Sequence, residues 1–238
     1  MTDRGLAESR QKAQAMILAG EVLVNGSKFE KAGSLFPADA RIETLGRGAK
    51  YASRAGLKLE GALEDFAIDV SGKICLDVGS STGGFTDCLL AHGAQRVYAV
   101  DVTPEQMVWR LRQDPRVLQV RANARYLLPE QFAEPPDLVT VDVSFISVTK
   151  ILAAVGAAAS RNAIFLILVK PQFELNREDI GSGGIVREPA LHQRAIERVR
   201  AAALALQWTV RAIRPSRVSG AEGNQEFFIH AERSASGN

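Results

Sequence analysis

The clearest local signature in this 238-residue chain is Lys73-Ile-Cys-Leu-Asp77-Val-Gly79-Ser-Ser-Thr-Gly83-Gly84-Phe85-Thr86. The apolar residues before Gly79 suit a buried strand, Gly79 allows a tight turn, and the residues after the glycine pair begin a helix. A second strand, 96–101, ends in Asp101 about 20 residues later, where a carboxylate accepts hydrogen bonds from ribose hydroxyls. The stretch therefore predicts a nucleoside-cofactor pocket.

The glycine spacing indicates which cofactor this pocket binds. It differs from the dinucleotide fingerprint G-x-G-x-x-G, and Asp77 would repel a pyrophosphate at the helix N-terminus. S-adenosylmethionine carries a sulfonium and an ammonium and has no phosphate, so the pattern favours it over NAD. An ordinary glycine turn of an α/β protein is the alternative. The candidate cofactor-binding residues are Asp77, Gly79, Ser80, Ser81, Thr82, Gly83, Gly84, Phe85 and Asp101.

Composition places the chain among globular proteins. Hydrophobic residues make up 46% and charged residues 24%. We expect no membrane-spanning helix, since no apolar run reaches about 18 residues, and no signal peptide. The two cysteines, Cys75 and Cys88, are expected to be buried thiols, and the three scattered histidines predict no metal site. A cytoplasmic location follows as an expectation.

Two units are predicted along the chain, a small one at 1–46 and a large one at 59–238, joined by a linker at 47–58. In the first, Ser9 is expected to cap a helix that ends at Gly20, and Asn25-Gly26 is a strong hairpin signal followed by a further strand at 41–45. The second alternates strands at 73–78, 96–101, 116–121, 137–142, 162–169, 208–214 and 225–231 with helices at 58–66, 84–92, 104–112, 147–159 and 189–206. This alternation predicts an α/β fold with a parallel sheet covered by helices on both faces, and an antiparallel last pair of strands.

Charge gives a weaker indication of a nucleic-acid partner. The net charge is +2, but residues 1–60 hold ten Lys/Arg against seven Asp/Glu. A difference this small is common by chance. The candidate phosphate contacts in this region are Arg10, Lys12 and Lys28.

Four charged residues stand at the ends of predicted elements. Asp142 and Lys170 end strands, Glu226 opens the last strand, and Lys58 lies at the junction of the two units. Each alone is compatible with a solvated strand end, but together the two lysines and two carboxylates predict a catalytic group beside the cofactor. The aperiodic segment 172–188 follows a strand end, where ligands bind in open α/β sheets.

Several motifs together resemble one family. They are Arg4-Gly-Leu-Ala-Glu-Ser-Arg10, Tyr51-x-Ser-Arg54 with Lys58-Leu, Leu76-Asp77-Val-Gly79-Ser-Ser-Thr-Gly83-Gly84-Phe85-Thr86, Val141-Asp142-Val-Ser-Phe145, Val169-Lys170-Pro171-Gln-Phe173-Glu and Gly183-Gly-Ile-Val186. They resemble the TlyA (hemolysin A) family, which joins a small α+β RNA-binding domain to an FtsJ-like methyltransferase domain of the Rossmann-like class I fold. The resemblance implies S-adenosylmethionine-dependent 2'-O-methylation of ribosomal RNA, usually at cytidine, with ribosomal RNA or ribosomal subunits as the partner.

The resemblance also implies individual roles. The family's Lys-Asp-Lys-Glu tetrad maps onto Lys58, Asp142, Lys170 and Glu226, and Asn123 is implied near the adenine. Relatives begin with a further stretch ahead of Arg4, so we expect part of the first helix of the small domain to be absent.

The tetrad leaves a choice of mechanism. Lys170 would abstract the proton of the acceptor hydroxyl or only orient that hydroxyl, and the residue pattern leaves both open. Lys58 would act on Lys170 electrostatically or bind the target phosphate, while Asp142 and Glu226 would align the lysines.

Four other interpretations of the chain fit these residues less well. They are a methyltransferase with a non-rRNA acceptor, a membrane-active hemolysin, a nucleotide-dependent oxidoreductase and an inactive RNA-binding paralogue. The oligomeric state is left open.

Overall fold

The structure is a computed structural model that describes residues 1–4, 6–7, 9–18, 20–37, 39–44, 50–220 and 223–233. The chain divides into two compact units, Met1–Lys50 and Tyr51–Asn238. The predicted linker lies partly at residues 45–49, which fall outside the described residues. Its last residues belong to a helix that begins at Ala55. The buried Tyr51 side chain packs directly against this helix, because Gly56 has no Cβ at the point of contact.

The N-terminal unit is a short helix packed on a small antiparallel sheet. Its described elements are helix α1 (Arg10–Leu18) and strands β1 (Val22–Val24), β2 (Ser27–Lys28) and β3 (Ile42–Thr44), in the order β2-β1-β3. The hairpin prediction is confirmed: Asn25 and Gly26 have φ values of 51° and 80°, as a type I′ turn requires. The predicted strand at 41–45 is confirmed over Ile42–Thr44, and residue 45 lies outside the described part.

The larger unit is built on one mixed sheet. Its described strands are β4 (Ile74–Val78), β5 (Arg96–Asp101), β6 (Val117–Arg121), β7 (Leu138–Val141), β8 (Ile164–Val169), β9 (Trp208–Pro215) and β10 (Phe227–Arg233). The order is β6-β5-β4-β7-β8-β10-β9. Strands β4 to β8 pair in parallel, and β10 pairs antiparallel with both β8 and β9. The predicted parallel sheet and the antiparallel last pair are both confirmed.

Helices cover both faces of this sheet, as predicted. The described helices are α2 (Ala55–Asp65), α3 (Gly84–Ala91), α4 (Trp109–Arg112), α5 (Leu152–Ala158), α6 (Pro171–Glu174) and α7 (Pro189–Ala205). Helices α2 and α3 pack with Cys75 and Val97 on one face, while α5 and α7 pack with Leu76 and Val78 on the other. Successive strand residues thus enter opposite cores, as the period of two requires.

Two predicted helices are interrupted. The helix expected at 104–112 breaks at Met107 and Val108, whose ψ values of 136° and 143° are extended, because the Val108 N–H donates to the Thr82 carbonyl instead of continuing a helix. The helix expected at 147–159 is a 3₁₀ turn at Val148–Lys150 followed by α5. The aperiodic segment 172–188 contains all but the first residue of α6, and it also contains two 3₁₀ turns, Arg177–Asp179 and Ser182–Gly184.

Candidate active site

The candidate site lies at the carboxyl ends of the parallel strands, where Gly79 comes close to the backbone of the neighbouring strand. Its φ is 87°, and a Cβ there would collide with the backbone carbonyl of Asp142, which follows the neighbouring strand β7. Its N–H and that of Ser80 donate to the Val100 carbonyl at 2.9 and 3.1 Å. The turn is therefore hydrogen-bonded to β5 on one side and lies in close contact with the end of β7 on the other.

A cleft of about 610 Å³ opens beside this turn. Asp101 and Asn123 lie in its wall together with Gly79, Ser81 and Phe145. The Asp101 carboxylate accepts from the Ser81 N–H and the Thr103 N–H, both at 2.9 Å. These bonds hold the carboxylate in place at the end of β5, where a ribose would meet it. The structure thus brings both predicted nucleoside-binding side chains into one cleft.

Asp77 lies beneath the turn instead of in the wall of the cleft. Its side chain has no exposed surface and accepts hydrogen bonds from the hydroxyls of Thr86 at 2.6 Å and Thr140 at 3.3 Å. Burial, with a smaller contribution from the nearby Asp142, raises the pKa of Asp77 to about 7, and the hydrogen bonds from Thr86 and Thr140 offset part of this rise. The carboxyl group therefore packs beneath the turn and supports it. Any effect of Asp77 on a cationic ligand would be a longer-range electrostatic one and not a direct contact.

The glycine pair after the turn makes room for protein. Gly83 has a φ of 95°, and a Cβ there would collide with Leu111, while a Cβ on Gly84 would collide with Ser53. The following Phe85 is buried and its ring stacks on that of Phe228 at 6.2 Å. Both glycines are predicted cofactor-binding residues. Gly84 lines a cleft beside the turn, whereas the space next to Gly83 is filled by the core side chains of Leu111 and Met107.

A second, smaller cleft of about 210 Å³ lies on the other side of the turn. Ser80, Ser81, Thr82 and Gly84 line it together with residues of three further segments, which are Ser53, Asp142 with Ser144, and Lys170. The Ser80 hydroxyl is buried and has no hydrogen-bond partner within the described part of the chain. A buried polar atom of this kind is costly unless a ligand or water satisfies it, so this wall suits a polar ligand.

The four predicted catalytic residues form two ion pairs. Lys170 Nζ lies 2.5 Å from Asp142 Oδ1 and donates to Ser144 Oγ at 2.9 Å. Lys58 Nζ lies 2.5 Å from Glu226 Oε2, with side-chain exposures of 10% and 3%. The first pair lines the small cleft, and the second is enclosed by protein.

Strand register explains why these residues share one edge. Phe227 pairs with Val169, so Glu226 and Lys170 are the next positions on neighbouring strands. Because β10 runs antiparallel to β8, its amino end lies where the parallel strands have their carboxyl ends. Helix α2, which carries Lys58, follows Ser53 in the wall of the small cleft.

The predicted RNA contacts lie in the N-terminal unit. Arg10 is exposed at the start of α1, and Lys28 in β2 pairs with Glu30 at 2.8 Å. Lys12 is in α1, but the position of its side chain lies outside the described structure. Among the described residues, no cluster of His, Cys, Asp and Glu could hold a metal ion, and no helix is both long and apolar enough to cross a bilayer.

Sequence reasoning missed Ser144 and Phe145 as site residues. Ser144 contacts Lys170 and lines both clefts. Phe145 is 93% exposed at a φ of 66°, with its ring centroid 5.4 Å from that of Phe173. A bulky residue rarely adopts this conformation, and such strain clusters at functional sites. The sequence signals were their positions two and three residues after Asp142 and their place in the motif Val141-Asp142-Val-Ser-Phe145.

Comparison with known proteins agrees with this geometry. Residues 51–233 match the FtsJ-like methyltransferase family, and residues 1–42 match the S4 domain. The chain is 43% identical over 228 residues to the 16S/23S rRNA (cytidine-2'-O)-methyltransferase TlyA of Mycobacterium tuberculosis, covering 95% of this chain and 85% of that protein. It is also 43% identical to Hemolysin A of Brachyspira hyodysenteriae, covering 95% of each.

Solved structures agree as well. A hemolysin-named protein of Streptococcus thermophilus is 42% identical, with a TM-score of 0.77 over 97% of this chain and 85% of that one. The fold and the two clefts thus define a class I methyltransferase of the FtsJ-like type with an N-terminal S4 domain. Within that class, the chain belongs to the TlyA family.

Proposed function

We propose that this chain is an S-adenosylmethionine-dependent 2'-O-methyltransferase that modifies ribosomal RNA, at cytidine. The observation that carries the proposal is the Lys170–Asp142 ion pair in the small cleft, directly beside the Gly79 turn and the larger cleft. A base or hydroxyl-orienting group next to a nucleoside pocket is what methyl transfer to an alcohol needs. An rRNA substrate also places the reaction in the cytoplasm.

The two clefts fit the two ends of such a cofactor. The larger cleft offers Asp101 for ribose hydroxyls and Asn123 for a base, and the smaller offers the unpartnered Ser80 hydroxyl. When bound, S-adenosylmethionine supplies an electrophilic methyl group. These residues would hold it, and calorimetry should detect binding of S-adenosylmethionine and no binding of NAD.

Lys170 is the group placed to handle the acceptor hydroxyl. Asp142 and Ser144 hold its amine from two sides, so little side-chain freedom remains to be lost in the reaction. As an ammonium ion held in this way, Lys170 can orient the hydroxyl oxygen toward the methyl group. To accept the hydroxyl proton it must first lose one of its own protons and act as the neutral amine. Such roles contribute about 10²–10⁴-fold to rate.

The acceptor class rests on the N-terminal unit and on the family. An S4 match at residues 1–42, with exposed Arg10 and Lys28 in the same unit, supports an RNA partner. The Mycobacterium tuberculosis relative is named for the 2'-hydroxyl of rRNA cytidines. The 2'-hydroxyl is also the group that distinguishes RNA from DNA at a site.

The test begins with mass spectrometry of rRNA digests from cells with and without the gene, which identifies the modified nucleotide. A strand carrying a single 2'-deoxy nucleotide at that position should bind with unchanged affinity and accept no methyl group. Lys170→Ala should abolish transfer and keep cofactor binding, whereas Lys73→Ala, at the amino end of β4, should keep both. Methylation of the deoxy strand, or a methyl group on the base, would contradict the 2'-O assignment.

A further inference from the structure

Glu174 is a buried carboxylate outside the catalytic group. It is 1% exposed, and its two oxygens accept from the Ser147 hydroxyl at 2.5 Å and the Val148 N–H at 2.8 Å. Burial raises the pKa of Glu174, which these hydrogen bonds and Arg198 partly offset. Burying a carboxylate costs folding free energy unless its hydrogen bonds compensate. The presence of Glu174 at this position therefore indicates that its contacts have a role beyond stability.

The two segments that Glu174 joins are the ones that carry Lys170 and Asp142. Lys170 directly precedes α6, the single helical turn that ends at Glu174, and its carbonyl accepts from the Phe173 N–H at 2.9 Å. Ser147 and Val148 lie five and six residues after Asp142, on the segment that also presents Ser144. The two hydrogen bonds of the Glu174 carboxylate, which we call the Glu174 bridge, therefore link the segment after β7 to α6, which follows β8. They hold together the carboxyl ends of these two neighbouring strands.

We propose that Glu174 is a positioning residue that sets the geometry of Lys170 against Asp142 and Ser144. The inference rests on the proposed function, because it concerns the same lysine. The carboxylate fixes the segment 142–148 to α6 through two hydrogen bonds, and this fixes the distance between the partners of the catalytic ion pair. Displacements of about 1 Å at a reacting group can cost roughly 100-fold in rate.

Two conservative variants test this bridge. Glu174→Gln keeps an acceptor for the Val148 N–H but presents an N–H₂ group to Ser147, and Ser147→Ala removes only the hydroxyl. Each should lower kcat by up to about 100-fold, shift the pH midpoint of kcat and leave the affinity for S-adenosylmethionine within a factor of two. The double variant should be no slower than the worse single variant, since both changes break the same bond. Glu178→Gln, an exposed glutamate on the same segment, is the matched control.

The outcomes separate this inference from the proposed function. If the unmodified protein transfers no methyl group to a ribose 2'-hydroxyl of rRNA, the proposed function is contradicted. If it does and Lys170→Ala retains that activity, Lys170 does not handle the acceptor hydroxyl, and the inference about its positioning is refuted while the proposed function stands. If Lys170→Ala is inactive while Glu174→Gln loses thermal stability but keeps the kcat and pH profile of the unmodified protein, Glu174 is structural only and the inference is refuted. If Glu174→Gln does not fold, Ser147→Ala decides alone by the same two readouts.

Discussion

At the scale of single residues, Asp77 links the glycine turn to pH. The folded-state pKa of Asp77 is about 7 and an unfolded aspartate titrates near 3.9, so the native state holds this proton more tightly. Between about pH 4 and pH 7 the folded protein keeps the proton and the unfolded chain has lost it. The contribution of Asp77 to the free energy of unfolding therefore falls by on the order of 4 kcal/mol as the pH rises through that window. Above about pH 7 it stays constant.

Asp77→Asn should remove this pH dependence. Asparagine resembles the neutral acid and keeps partners for the hydroxyls of Thr86 and Thr140. Urea unfolding should show that the variant gains stability relative to the unmodified protein as pH rises from 5 to 8. Asp69→Asn, at an exposed aspartate, controls for the loss of one negative charge. An Asp77→Asn difference that is the same at pH 5 and pH 8 would show that Asp77 does not titrate in this range.

Phe145 combines an exposed ring with a strained backbone conformation, and both features are typical of a residue that contacts a ligand. Its exposed ring at the mouth of the larger cleft suits stacking on an unpaired base, which contributes about 1–3 kcal/mol. Phe145→Ala should therefore raise the KM for RNA, whereas Phe145→Trp should leave this KM unchanged. In both variants, kcat at saturating RNA should equal that of the unmodified protein. Trp109→Ala, at an exposed aromatic that lines neither cleft, is the control. A loss confined to cofactor affinity would assign the ring to the cofactor instead.

At the scale of elements, the β4–α3 turn depends on Gly79 for two separable reasons. Gly79→Ala must place a side chain at a φ of 87° and also push back the Asp142 carbonyl. Gly72→Ala is a matched control, since its φ is 70° and no atom lies within 4 Å of the added Cβ. Both variants should lose about 1 kcal/mol or more of stability through backbone strain. Only Gly79→Ala should also lose methyl transfer, because only its new Cβ displaces the Asp142 carbonyl. Equal methyl transfer by the two variants would show that the contact between Gly79 and Asp142 does not matter for activity.

The elements also show how far sequence patterns reach. The alternation of strands and helices and the antiparallel last pair were predictable from the sequence pattern. The proximity of Asp142 and Lys170 was predictable because the carboxyl ends of parallel strands share an edge. The positions of Lys58 and Glu226 depend instead on helix α2 and on the antiparallel direction of β10. The helix break at Val108 was not predictable, since it depends on a bond to the Thr82 carbonyl in a distant turn. The Glu174 bridge likewise joins residues 26 positions apart. Periodicity within a segment carries no information about such contacts.

At the scale of the whole molecule, the proposed function assigns RNA binding to the N-terminal unit and methyl transfer to the larger unit. In the larger unit, the Ala52 N–H donates to Asp87 at 2.7 Å, and Arg110 binds the same carboxylate through two nitrogens. These bonds fasten the residues just before α2 to α3 and α4, so the Lys58 helix begins from a fixed point. The N-terminal unit contains none of the four proposed catalytic residues, and its proposed task is to hold RNA.

That division predicts how salt and charge act on RNA binding. Each phosphate neutralised by a lysine or arginine releases counterions, so RNA affinity should fall with salt, and Arg10→Ala or Lys28→Ala should each reduce the log–log slope by about one. Arg10 should show the fuller effect, since Lys28 must first leave Glu30. Filter binding across a salt series measures the slope, with Lys73→Ala as the control. Because phosphate contacts position an RNA without reading its sequence, both variants should methylate the same nucleotide as the unmodified protein, and a changed target would show that these side chains also select the site.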